Sequence, residues 1–71
     1  MSAKKVVDVK EIRIRPERRS AYNAVMVRFL MEEAEFHRNQ GREAQIFLKV
    51  RVHNEIGETR QVVQMVAYDK E

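Results

Sequence analysis

The sequence predicts an α+β domain: a three-stranded, largely antiparallel sheet with one helix on one face, in the order β-α-β-β. Three observations predict it. Pro16, Gly41 and Gly57 are the only proline and glycines, and they cut the chain into four segments without repeats or linkers. The first, third and fourth segments space their apolar residues by two, whereas the second follows a helical period. With 71 residues, 44% of them hydrophobic, the chain makes one small domain. This domain is expected over residues 6–69, behind a disordered tail at 1–5 and before a short C-terminal end at 70–71.

The first strand is expected from Val6 to Arg15, where Ile12 and Ile14 alternate with Arg13 and Arg15. The apolar phase slips between Val7/Val9 and Ile12/Ile14. A β-bulge near Asp8 to Glu11 would return them to one face, and Pro16 then ends the strand because it has no ladder donor.

The helix is expected from about Ser20, as N-cap, to Asn39, with Gly41 as its stop. At 100° per residue, Tyr22, Val25, Met26, Phe29, Leu30, Phe36 and His37 share one sector, the expected core face. Val27, Met31 and Ala34, together with Ala24, form a second apolar ridge. A helix on a small sheet needs only one apolar face, so the second ridge predicts a cover supplied by another subunit.

Residues Glu43 to His53 alternate Ala44, Ile46, Leu48, Val50 and Val52 with Gln45, Phe47, Lys49, Arg51 and His53. A turn at Asn54 to Glu58 leads into a third strand, Thr59 to Tyr68. A two-residue loop at Ile56-Gly57 sets one register and a four-residue loop another. Both keep Val63, Met65 and Ala67 on the helix side, and the third strand is open for strand addition.

A chain this short buries only about 60% of its unfolded surface. It has no cysteine for disulfides, and two histidines cannot close a zinc site, so association with copies of itself is expected. The predicted contacts are Val27, Met31 and Ala34 on the helix, or Val62 and Val66 on the sheet. No apolar run approaches the ~20 residues of a membrane span. The start, Met1-Ser2-Ala3-Lys4-Lys5, lacks a signal-peptide core, so a cytoplasmic location is expected.

The formal charge is +3, and Lys10 to Arg19 carries all of it, with five basic residues against two acidic ones. The open sheet face adds Lys49, Arg51 and Arg60 among Phe47, Tyr68, Val62 and Val66. Basic side chains hold phosphates, and flat aromatic rings stack on unpaired bases. The expected function is therefore nucleic-acid binding by a homo-oligomer, through Lys10, Arg13, Arg15, Arg18, Arg19, Phe47, Lys49, Arg51, Arg60 and Tyr68. The alternative is a small adaptor or inhibitor that docks on an acidic protein through its basic segment or an exposed strand.

No nucleophile elbow, phosphate loop or His-Glu-x-x-His motif is present, so no enzyme, cofactor or metal is expected. Glu33 and His37 stand at i, i+4 on the helix, a spacing that suits a helical hydrogen bond better than a metal site. Glu33, inside an apolar sector, is expected past the end of the sheet, or paired with a basic residue such as Arg42 or with a residue from another subunit.

The run Val9-Lys10-Glu11-Ile12-Arg13-Ile14-Arg15-Pro16, followed by Arg28-Phe29-Leu30, resembles the opening strand and helix of the C-terminal domain of bacterial translation initiation factor three, which binds RNA. The likeness covers about a third of the chain. The spacing to the Arg-Phe-Leu triplet is shorter here, the family's second helix has no counterpart, and Gly41-Arg42-Glu43 precedes the second strand instead of following it. Membership is not assigned. The order of elements is also similar to that of dodecins, whose flavin-stacking tryptophan this chain lacks.

Overall fold

A computed structural model describes residues 4–16, 21–52 and 55–69. It contains β1 (Val6–Arg13), α1 (Ala21–Asn39), β2 (Glu43–Val52) and β3 (Thr59–Tyr68), the predicted α+β order. Ser20, His53, Arg18 and Arg19 lie outside the described residues.

The sheet is antiparallel throughout, with strand order β1-β3-β2. β3 is therefore the central strand, bonded on both sides, and cannot accept an added strand as expected. Its Val62, Val63 and Val66 suit a pleated surface enclosed on both flanks. The β2–β3 register pairs Val52 with Thr59, which centres the reversal on Glu55 and Ile56. This is the register of the longer loop. Gly57 takes φ +84° there, a left-handed value open to a residue without Cβ.

The bulge sits earlier than expected, between Val6 and Asp8. Val6 faces Tyr68 and Asp8 already faces Ala67, so the phase changes at Val7. Asp8, Lys10 and Ile12 consequently share the helix side with Ala67, Met65 and Val63, while Val9, Glu11 and Arg13 turn to the open side. The valines are not brought to the helix face.

The helix faces the sheet with Leu30, Ala34 and His37, which follow the i, i+4, i+7 stripe, flanked by Met26 and Val27. This face is rotated from the expected one: Tyr22, Val25, Phe29 and Phe36 are exposed. The reason is steric. Ala34 packs with Ala44 and Ala67 in the core beside Ile12, Leu30 and Met65, so helix and sheet approach where their side chains are smallest. The large rings, which dominate a hydropathy reading, are left on the flank.

Gly41 ends the helix at φ +84°. Gly41 N–H donates to the Arg38 carbonyl and Arg42 N–H to the His37 carbonyl, both at 3.0 Å. The two bonds form a Schellman motif and fix the point at which Arg42 leaves the helix.

Candidate nucleic-acid interface

On the open side, the register places Arg13 and Lys49 on either flank of Val62, and Arg51 directly opposite Arg60. Phe47 and Glu11 flank Gln64, and Gln45 and Val9 flank Val66. Basic groups thus gather at the hairpin end of the face. Like charges directly opposite each other destabilise a strand pair.

Glu11 relieves part of that repulsion. Arg51 Nη2 and Nε donate to Glu11 Oε1 at 2.7 and 2.9 Å, and Gln64 Nε2 donates to the same oxygen at 3.4 Å. The pair joins the two edge strands across β3. Its long side chains, with those of Arg13 and Lys49, shield Val62 although no helix lies above it; Val62 and Val66 are buried within the chain. Neither valine offers the sheet contact expected of it. A depression of about 340 Å³ remains, lined by Arg13, Arg51, Arg60, Glu11, Val52 and Val62. Three guanidinium groups and one carboxylate around a concave surface suit an anionic ligand.

The structure brings Arg13, Lys49, Arg51 and Arg60 together, sets Arg15 beside Arg13 and Arg60 around a neighbouring depression, and sends Lys10 and Tyr68 elsewhere. Lys10 is on the helix side, paired with Asp8 at 3.3 Å, because the bulge changed its phase. The Arg15 guanidinium stacks on Tyr22, 4.1 Å from the ring centroid. Asn23 anchors this corner: its Oδ1 accepts from Arg15 N–H and its Nδ2 donates to the Arg15 carbonyl, both at 2.9 Å. Lys49 Nζ lies 5.8 Å from the Phe47 ring centroid, and Phe47 is half-buried. Tyr68 stands opposite Glu43, four residues along the strand from the Phe47 position, towards the other end of the face. Ala34, expected on an oligomer ridge, is fully buried under the helix; Val27 is half-buried and Met31 is exposed.

A second polar cluster was not foreseen as a unit. His37 is buried, and its Nε2 lies 2.9 Å from Asp8 Oδ2 while Arg42 Nη1 lies 3.0 Å from Nδ1. An arginine only donates, so Nδ1 accepts and the ring proton sits on Nε2, donated to Asp8. That hydrogen bond, aided by Lys10, holds the Asp8 carboxyl below the usual carboxylate range against the opposing effect of partial burial. Glu33 completes a group of three with Asp8 and His37, ligand atoms all within 4.8 Å. A cation there would need the lone pair of Nε2, which the proton occupies as long as Arg42 holds Nδ1. The cluster therefore reads as a polar pin between helix and β1. Arg42, expected as a partner of Glu33, bonds His37 instead. The missing signal was the position of the bulge, which alone decides that Asp8 faces the helix.

Among the described residues no helix is long and apolar enough to cross a membrane. Comparison with protein-family models, with curated proteins and with solved structures finds no match.

Proposed function

We propose that this chain is a non-enzymatic, cytoplasmic, homo-oligomeric nucleic-acid-binding protein whose open sheet face holds the phosphate backbone. One observation carries the reading: Arg13, Arg51 and Arg60 line a single depression, with Arg51 and Arg60 in direct register opposition. Glu11 offsets part of that opposition, and a phosphate held between the guanidinium groups adds further compensation. Lys49 extends the basic row, and Phe47 lies next to it as a stacking surface for an exposed base.

The test is a titration with single- and double-stranded DNA and RNA at two salt concentrations. Affinity that falls steeply with salt is expected, with a shallower salt slope after Arg13→Gln and Arg60→Gln. Binding that survives both substitutions together with Lys49→Glu overturns this face as the site. If no nucleic acid binds even at low salt, the reading fails and docking on an acidic protein replaces it.

A further inference from the structure

The chain is less compact than a globular monomer of its length. It exposes 5720 Å², whereas a compact monomer of this mass exposes about 4,700 Å². Its radius of gyration is 14.2 Å and it is a slab 41 × 28 × 12 Å; a compact chain of this length has a radius near 11 Å.

Besides the exposed rings of the helix and the valines of β1, a continuous uncovered apolar strip runs along β2. Arg38 Nη2 donates to the Ala44 carbonyl at 2.7 Å, so the helix meets β2 at the Ala44 end. Further along the same side of β2, Leu48, Val50 and Val52 are 68%, 64% and 73% exposed, and Ile46 is exposed as well. On the helix, Met31 is exposed on the same flank as Arg38. β2 is also an edge of the sheet, ten residues long, with no proline, glycine or bulge. The opposite edge, β1, carries the devices that discourage pairing: a bulge at Val7 and the inward charges of Asp8 and Lys10.

The sequence of β2 complements itself. Paired antiparallel with a copy of itself about Phe47, it sets Glu43 opposite Arg51, Gln45 opposite Lys49, Ile46 opposite Leu48 and Ala44 opposite Val50. Opposite charges meet at both ends, where Glu43 is also paired with Lys4 and Arg51 with Glu11 within each copy, and aliphatic residues meet on the helix side. Moving the centre to Lys49 opposes two lysines instead.

We infer that a second copy of this chain docks edge to edge on β2, in the Phe47-centred antiparallel register, to give a continuous six-stranded sheet. The two helices lie on one side, with the Ile46, Leu48 and Val50 strips of both copies between them. The two arginine depressions lie together on the other. This inference deepens the oligomer part of the proposed function and is independent of its ligand.

Sedimentation of the full chain at micromolar concentration, without nucleic acid, tests it. A mass twice 8.5 kDa is expected. Leu48→Lys should give a monomer with an unchanged circular dichroism spectrum, since that side chain touches no core. Phe47→Cys, the only cysteine in such a chain, should oxidise to a covalent dimer, and Leu48→Lys should suppress the cross-link. Arg51→Glu should weaken the dimer about tenfold, and Glu43→Lys in the same chain should restore it. A wild-type monomer overturns the inference. So does a dimer indifferent to Leu48→Lys, or one cross-linked instead by Val25→Cys on the other flank of the helix. Because no arm contains nucleic acid, failure here leaves the ligand reading standing, and failure of the titration leaves the dimer.

Discussion

Arg51 on one edge strand reaches across the central strand to Glu11 on the other, its Nη2 2.7 Å from Glu11 Oε1. The contact fastens three strands on the side that has no helix, and it puts the lone carboxylate of the depression beside its arginines. Glu11→Gln should therefore raise affinity for nucleic acid about fivefold at low salt, the scale of one nearby charge in a partly solvated site. Its stability should fall by no more than about 1 kcal/mol, because the pair is partly exposed. Filter binding and denaturant titration read the two effects; lower affinity in the variant contradicts the assigned face.

Asp8 and His37 pin β1 to the helix. Removing the acceptor leaves a buried ring N–H without a partner, so Asp8→Ala should cost about 1–3 kcal/mol in urea unfolding. The pH dependence follows from the lowered Asp8 value. Stability from this group is complete above its ordinary value of 3.8 and is lost as pH falls through the lower folded value. Acid titration of the variant should lack that component. A loss of equal depth in both proteins assigns it to other carboxyls.

Gly41 stands at φ +84° with open space where a Cβ would go, so any penalty there is conformational and not steric. Gly41→Ala should destabilise by about 1–2 kcal/mol, and Gly41→Asn by less, since asparagine tolerates the left-handed region. Equal losses for the two variants would mean that the Schellman geometry is not the cause.

Ala34 is fully buried where helix and sheet come closest, and Phe36 is 54% exposed. Ala34→Leu should cost about 1–3 kcal/mol by overpacking, whereas Phe36→Ala should change stability by about 0.5 kcal/mol or less. The reverse ranking in thermal melts would restore the ring-bearing face as the core.

The order of elements was legible because three strands and a helix have unlike periods and the only glycines and proline fall between them. The side of β2 and β3 that faces the helix was equally plain, since parity survives either loop length. The rotation of the helix was not: hydropathy favours Phe29 and Phe36, while close packing favours Ala34 against Ala44 and Ala67. The place of Arg13, Lys49, Arg51 and Arg60 on the open face followed from strand alternation alone. Lys10 did not, because one bulge changes its side; Arg15 lines a depression with Arg13 and Arg60, but its stacking on Tyr22 had no signal in the strand pattern. The assignment of β3 as an edge failed for a topological reason, as β1 returns to pair with the last strand and not with the second.

The irregularity at Val7 also sets how the chain tolerates insertions and deletions. Losing one residue at Val6 or Val7 would shorten the lead-in and leave Ile12 over the helix. Losing one between Asp8 and Ile12 would reverse every side chain on one side of the cut, sending Ile12 into water or Asp8 away from His37. Length variation at this terminus should therefore be silent up to Val7 and lethal to the fold a few residues later.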